Sequence, residues 1–213
     1  WHELVNDNIA NDPILISYCP LCATGIAFER IVNAKPSEFG VSGKLHNSDL
    51  VMYDRATESY WQQLTGLAIV GPMTGTELNM VPLDTLTWQQ WKSQYPDSQV
   101  LSRDTGYTRA YGQDPYDGYY TSQDIIFPVS HTNDSLHPKA IIYGIEVDGQ
   151  YKAYPHFNGT ITDTFAHTSI KATNQKGIIT FTNQKTGEPI NKVRSFWFAW
   201  VAFHPETDLY TTT

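Results

Sequence analysis

The chain has 213 residues, of which 40% are hydrophobic and 13% aromatic, and its formal net charge at pH 7 is -8. A chain of this length can bury a core without disulfides, and so much apolar material excludes an intrinsically disordered protein. The acidic balance, with no cluster of Lys and Arg, argues against nucleic-acid binding. No apolar run approaches the ~20 residues that a membrane-spanning helix needs.

The first segment, "WHELVND", is expected to form a short helix with Leu4 and Val5 facing a core. Trp1 is not an initiator methionine, so we expect a signal or anchor to have preceded it. Low lysine with abundant Tyr, Asn and Thr also favours export. The expected location is therefore secreted, cell-surface or periplasmic.

Strand patterns dominate the next part of the chain. "PILISYC" and "GLAIVGPM" are short apolar runs bounded by turn-forming residues, which is typical of strands. "LDTLTWQQWKSQYP" is the best helix candidate, because Asp84 or Thr85 can cap it, Trp88 and Trp91 share a face, and Pro96 ends it. It is the one helix that we expect to exceed two turns.

Residues 102–135 are rich in Gly, Asp and Tyr and follow neither the helix nor the strand period. A loop of this length is usually functional or packed by its own aromatic side chains. We expect a Tyr-rich surface loop, and a protein partner could contact it.

The second half predicts hairpins. "AIIYGIEVDGQYKAYP" alternates as two strands around Asp148-Gly149, a dipeptide that favours a type I′ turn because both positions need positive φ. "KGIITFTN" and "GEPINKVRS" form a second pair around Thr186-Gly187. The aromatic run "SFWFAWVAFHP" predicts a buried core strand. Together these patterns predict a mainly β (β-rich α+β) fold: a single compact domain over residues 1–213, made of sheets or a barrel with few short helices. Two lobes divided near His137-Pro138 are the alternative.

Cys19 and Cys22, in the motif "SYCPLC", are the only cysteines of the chain. As a metal site, two thiolates at this spacing can hold one ion but need further ligands. His2 and His204 are the candidates, with Met52 as a further one. Thiolate, imidazole and thioether suit copper first and zinc second.

Two other interpretations of the pair stay open. A C-x-x-C motif performs thiol–disulfide exchange chiefly in a βαβ context, which "ATGIAFERIV" does not supply. The pair could equally be a structural disulfide or two small buried side chains without a bound ion, although so short a loop gains little stability from a disulfide.

Acidic residues are weaker candidates. Asp49, Asp54 and Glu58 lie near His46 in "HNSDLVMYDRATESYW". Paired carboxylates can perform acid–base chemistry. However, Asp49 and Asp54 fall on opposite faces of one strand. Solvation, or an ion pair with Arg55, is the simpler interpretation of either one.

Five segments resemble, in order along the chain, the family catalogued as domain of unknown function 3179 (DUF3179). They are "ISYCPLCATGIAFER", "FGVSGKLHNSDLVMYDRATESYWQQLTGLAIVG", "VLSRDTGYTRAYGQDPY", "HPKAIIYGI" and "FWFAWVAFHPETDLY". The family usually carries an "AYP" segment before its equivalent of "WHELVND". The resemblance therefore implies that the sequence begins inside the domain. The related "GQYKAYPHF" in the second half hints at a weak internal repeat.

The family name implies no activity, so function rests on the residues. The leading hypothesis is an exported metal-binding protein that holds copper, or less favourably zinc, through His2, Cys19, Cys22 and His204. The alternatives are a thiol–disulfide oxidoreductase, with Cys19 attacking and Cys22 resolving, and a structural or assembly module without chemistry of its own. Whether the protein is an enzyme stays open.

Overall fold

The computed structural model describes residues 1–211. Strands take up 43% of the chain and helices 8%, so the predicted mainly β class is confirmed. The strands are β1 (Leu4–Ile9), β2 (Asp12–Cys19), β3 (Thr24–Glu29), β4 (Ile31–Val32), β5 (Lys35–Pro36), β6 (Phe39–His46), β7 (Asp49–Asp54), β8 (Tyr60–Gln62), β9 (Ala68–Val70), β10 (Met80–Val81), β11 (Ile141–Val147), β12 (Gln150–Pro155), β13 (Gly159–Phe165), β14 (Thr168–Gln175), β15 (Ile178–Asn183), β16 (Pro189–Ile190), β17 (Lys192–Phe196) and β18 (Asp208–Leu209). The helices are α1 (Trp88–Gln94), α2 (Trp197–Phe203) and a 3₁₀ turn, Tyr119–Thr121.

The strands form four small sheets of four strands each, in a propeller-like arrangement. Their strand orders are β1-β2-β3-β10, β6-β7-β8-β9, β17-β11-β12-β18 and β13-β14-β15-β16, and β4 with β5 makes a separate ribbon. Most neighbours are antiparallel hairpins, so local turn chemistry sets much of the topology.

Both predicted hairpins are confirmed. β11 and β12 meet at Asp148 and Gly149, whose φ angles of 49° and 72° are those of the favoured two-residue turn. β15 pairs with β16 across a turn that contains Gly187, at a φ of 76°. The segment after that turn also supplies β17, which leaves this sheet to pair with β11.

The predicted helix at the start of the chain is wrong. Leu4 begins strand β1, which pairs with β2 in register from Leu4↔Ser17 to Ile9↔Asp12. The Asn6 side chain also pairs with the backbone of Phe39, donating to its carbonyl at 2.9 Å and accepting from its N–H at 2.8 Å. Pairing with distant residues thus decides the conformation of a segment whose own pattern is too short to be diagnostic.

The aromatic run near the end of the chain is buried as predicted, but it is a helix and not a strand. All residues from Trp197 to Ala202 in α2 are buried. A run that is apolar on every side has neither helical nor strand periodicity, which is why the pattern could not distinguish the two. The Trp200 ring lies over the backbone of β11 at Gly144, where an added Cβ would stand 2.4 Å from the ring.

Helix α1 exists where the sequence predicts it, but with a different cap and length. Thr87 is the N-cap, in a capping box with Gln90, and neither Asp84 nor Thr85 has that role. It has seven residues, as does α2, so the expectation of one helix longer than two turns is wrong. No residue of α1 is buried.

The irregular segment is confirmed as well. Between residues 102 and 135 the structure contains turns and the one short 3₁₀ helix, Tyr119–Thr121. Among residues 1–211, no helix has the length and apolar character needed to cross a membrane.

Candidate metal or thiol site

The two cysteines lie at the tip of the hairpin formed by β2 and β3. Cys19 ends β2 and pairs with Thr24, the first residue of β3, so residues 20–23 form the connecting turn. Ala23 closes that turn with a φ of 53°. The hairpin therefore places both sulfur atoms at one end of the first sheet, where each is a free, buried thiol.

Three donors from distant parts of the chain fix the backbone of this turn. Tyr119 donates its hydroxyl to the carbonyl of Leu21 at 2.9 Å, and the Phe196 N–H donates to the carbonyl of Cys22 at 2.8 Å. Arg194 donates to the carbonyl of Ala23 at 3.1 Å. Since buried carbonyls must be satisfied, these bonds hold the turn in one conformation.

A carboxylate that the sequence analysis did not assign to this site completes it. Asp49 begins β7 in the second sheet and is 0% exposed. Its ligand atom and those of Cys19 and Cys22 all lie within 4.8 Å of one another. The site thus joins the tip of one sheet to the first residue of a strand in the next.

Several donors surround the Asp49 carboxylate. Gln62 donates its amide and Leu64 its backbone N–H, the latter at 3.1 Å. Thr24 lies 3.3 Å from the other carboxylate oxygen. With its amide nitrogen towards the site, Gln63 reaches both Asp49 oxygens, at 3.1 and 3.2 Å, while its oxygen accepts from Ser17 at 2.9 Å. This network orients the carboxylate towards the sulfur atoms.

Burial sets the electrostatics of the site. Desolvation raises the pKa of Asp49 to about 6, although hydrogen bonds from the two thiols, Gln62 and Leu64 oppose the shift. Burial also raises the pKa of the Cys22 thiol well above its usual value, and the neighbouring Cys19 and Asp49 raise it further. At neutral pH, Cys22 is therefore a protonated thiol beside an acid that is mostly ionised.

The other expected ligands lie elsewhere. His2 hydrogen-bonds to the Tyr111 hydroxyl and packs against Tyr107. His204 follows α2 and stacks on Tyr151, with ring centroids 3.8 Å apart. Within residues 1–211, the group of close ligand atoms contains neither histidine.

Met52 is fully buried in the hydrophobic core. It lies three residues after Asp49 on β7, and side chains an odd number of positions apart point to opposite faces of a strand.

The sequence analysis favoured solvation, or an ion pair with Arg55, for the acids of β7. That interpretation is wrong, because Asp49 and Asp54 are both fully buried. Asp54 accepts from the Trp61 indole at 2.9 Å and from the Thr57 hydroxyl at 2.7 Å, which is a structural role. Arg55 pairs with Glu38 at 3.8 Å. Sequence spacing correctly separates the two carboxylates, but it carries no signal that Asp49 meets the cysteines.

The sequence model of one protein family matches residues 1–187. The matched segment contains Cys19, Cys22 and Asp49. The chain belongs to the family "Protein of unknown function (DUF3179)". The match confirms the resemblance over residues 1–187 and ends before β17 and α2, so the last resembling segment, "FWFAWVAFHPETDLY", lies outside it. Comparison with the curated proteins and with the solved structures gives no match.

Proposed function

We propose that this DUF3179 protein binds a transition-metal ion through Cys19, Cys22 and Asp49. The observation that carries the proposal is the convergence of two sulfur atoms and a carboxylate oxygen within 4.8 Å of one another. Two thiolates on one tetrahedral zinc ion lie about 3.8 Å apart, given Zn–S bonds of about 2.3 Å. Small side-chain adjustments would therefore bring the three groups to ligand distances.

The donor set favours zinc over copper. The preference for copper rested on imidazole and thioether ligands, and the structure supplies a carboxylate in their place. Zinc accepts sulfur and oxygen ligands together, whereas soft thiolate and thioether sets select Cu(I). The three groups leave one position of a tetrahedral ion unfilled, and the Ser48 hydroxyl, which is buried without a hydrogen-bond partner, is our candidate for it. The Ser48 carbonyl already lies 3.4 Å from the Cys22 sulfur.

The surroundings of Asp49 also suit a metal ligand. Carboxylates that bind metal ions are themselves held by hydrogen bonds, which fix their orientation. Gln62 and Leu64 supply such bonds here, and Gln63 adds two more when its amide nitrogen faces Asp49. Binding would displace the Cys22 proton, because the thiolate is the ligand.

Thiol–disulfide exchange is a second candidate, favoured by the carboxylate beside two neighbouring thiols. Ionised Asp49 would take the proton of a thiol. The Cys19 thiolate would attack a substrate disulfide, releasing one substrate thiolate, and Cys22 would then attack Cys19 and release the second. The net reaction reduces the substrate and leaves a Cys19–Cys22 disulfide. It ranks second because both cysteine residues are at most 1% exposed and a reactive cysteine needs access.

Metal analysis with thiol titration tests the proposal, on protein never exposed to a chelator. We expect about one zinc ion per chain, with both thiols unreactive until a chelator removes it. Cys19→Ser and Cys22→Ser should each lose the ion and keep the circular dichroism spectrum. His2→Ala should keep it and serves as the control.

The other outcomes discriminate the alternatives. Protein without metal that shows no free thiol, and whose disulfide a dithiol reduces, would support exchange. Protein whose reduced thiols bind neither zinc nor copper on titration, and do not reduce a model disulfide, would leave a structural module. Export is proposed from composition alone, and a signal sequence in the complete reading frame would test it.

A further inference from the structure

Beside the cysteine turn lies a cleft of about 250 Å³ whose walls are mainly aromatic. Trp1, Tyr18, Tyr116 and Tyr120 line it, together with the carboxylates Glu3 and Asp114. We call this set the aromatic cleft. It joins the start of the chain, the end of β2 and the Tyr-rich loop, and Pro20 of the cysteine turn also borders it.

The aromatic side chains of the cleft are open to solvent. Trp1 is 52% exposed, Tyr18 40% and Tyr120 36%. The cation–π contacts within residues 1–211 use other rings, such as Tyr119 beneath Lys139. No basic side chain lines the cleft. No lysine or arginine of the described residues therefore occupies the π faces of this cleft.

The two carboxylates carry negative charge that no basic side chain in the cleft neutralises. The salt bridges found in the described part of the chain involve neither Glu3 nor Asp114. Asp114 accepts from the Tyr120 hydroxyl at 3.1 Å and from the Tyr116 N–H at 2.9 Å, so it is fixed at the cleft wall. Burial raises the pKa of Glu3.

From this combination we propose that the aromatic cleft binds an organic cation, an ammonium or guanidinium group. Aromatic faces attract such cations through their quadrupoles, and nearby carboxylates add direct charge attraction. A hard metal ion fits less well, because it requires several oxygen ligands. An anionic ligand is excluded by Glu3, Asp114 and the net charge of -8.

The cation can come from a small molecule or from a basic side chain of a protein partner. The cleft volume accommodates one such group. Both sources present the same chemistry, so they are separated by experiment. A partner side chain would make the Tyr-rich loop the contact surface predicted from the sequence.

The first test compares choline with its neutral isostere 3,3-dimethylbutan-1-ol, using the indole N–H signal of Trp1 in ¹H–¹⁵N spectra. The two molecules have the same shape and differ in charge. Choline should bind at least tenfold more tightly than the alcohol. Equal binding of the two, or saturable binding of neither choline nor the peptide below, would overturn the proposal.

Substitutions locate the cation. Asp114→Asn and Glu3→Gln should each weaken binding at least fivefold, and Tyr116→Leu should do the same by removing a ring. Asp117→Asn and Tyr107→Leu are the matched controls, because both residues lie in the same loop but do not line the cleft. A control that weakens binding as much as its partner substitution would refute the assignment.

The blocked peptide acetyl-Ala-Lys-Ala-amide identifies the source. Tighter binding of the peptide than of choline would indicate a basic side chain of a partner, and the reverse order would indicate a free organic cation. Either result supports the shared chemistry, provided that Asp114→Asn abolishes the preference for charge. Failure of the metal proposal would leave this test unaffected, because Cys19 and Cys22 do not line the cleft.

Discussion

Asp49 and Asp54 begin and end the same strand, β7, and both are fully buried, yet their surroundings give them different roles. Asp54 faces the Trp61 indole and the turn at Thr57, which together donate hydrogen bonds to its carboxylate. Asp49 faces two thiols, and desolvation raises its pKa to about 6. Keeping it ionised at pH 8 therefore costs stability, which a bound cation would offset.

These two residues give a matched pair of variants. Asp49→Asn keeps the shape of the side chain but removes a charged ligand, so it should weaken zinc binding by more than the roughly 10–100-fold typical of residues that only orient a ligand. Asp54→Asn should leave zinc binding unchanged and lower the free energy of unfolding by about 1–3 kcal/mol, since it disturbs a buried hydrogen-bond network. Chelator competition and urea denaturation of both variants measure the two effects. Equal losses of zinc affinity would show that the strand, not Asp49 itself, supports the site.

At the scale of elements, the two helices have equal length but contribute differently to the buried core. Both α1 and α2 have seven residues and contain two tryptophans. Helix α1 buries none of its residues, and Trp88 is 56% exposed. In α2, Trp197 is 1% exposed and its indole donates to the carbonyl of Asn133 at 2.8 Å.

The helices should respond differently to the same substitution. Trp197→Ala should destabilise the fold by about 3–5 kcal/mol, because it leaves a large cavity and an unpaired carbonyl. Trp88→Ala should cost under about 1 kcal/mol, as exposed substitutions usually do. The midpoints of denaturant unfolding, compared between variants that have equal m-values, measure both losses of stability. A small effect at Trp197 would contradict a core position for α2.

The end of α2 should make stability depend on pH. Burial against Tyr151 and Trp200 lowers the pKa of His204 from 6.5 to about 4. The unfolded chain therefore binds a proton more readily, and the contribution of neutral His204 to stability is lost as the pH falls from about 7 to 4. The loss could reach about 3 kcal/mol. Buried Asp49 acts in the opposite direction, so only a comparison of variants isolates His204.

His204→Phe keeps a ring in the stack and removes the titration. The free energy of unfolding, measured from pH 7 to pH 4, should fall less steeply in this variant than in the parent chain. His131→Gln, at an exposed position, should leave the slope unchanged. Identical slopes for His204→Phe and the parent would contradict the lowered pKa.

On the scale of the whole molecule, the C-terminal elements complete the core around the cysteine turn. β17 pairs with β11, and the Phe196 N–H binds the carbonyl of Cys22. Trp197 and Trp200 belong to the same hydrophobic cluster as Leu15, Phe28 and Trp61 of the first two sheets. The family match ends at residue 187, before these elements.

A chain that ends at residue 187 should therefore fail to fold cooperatively. It would expose a large apolar surface. It would also leave two of the three carbonyls of the cysteine turn without their hydrogen-bond donors. A chain that ends at residue 206 keeps β17 and α2 and loses β18, so it should fold with reduced stability. Near-ultraviolet circular dichroism and thermal unfolding distinguish the two. Cooperative unfolding of the shorter chain would show that the C-terminal elements are dispensable.

The sequence by itself determined the features that depend on neighbouring residues. The Asp148-Gly149 turn, the strand runs, the position of α1 and the absence of regular structure across most of residues 102–135 follow from local backbone preferences and side-chain periodicity. The family could also be recognised, because its longest segments are contiguous. The proximity of Cys19 and Cys22, at the two sides of one turn, likewise depends on local spacing.

Only the tertiary structure decided what those local elements meet. Leu4–Ile9 became a strand because β2 offers a partner, whereas Trp197–Phe203, whose first six residues are buried, forms a helix that pairs its own backbone groups. Asp49 reached the cysteines because two sheets pack together, a contact between residues about 30 positions apart that no local pattern encodes. Burial then set its pKa, since desolvation depends on the whole surrounding fold and not on sequence neighbours.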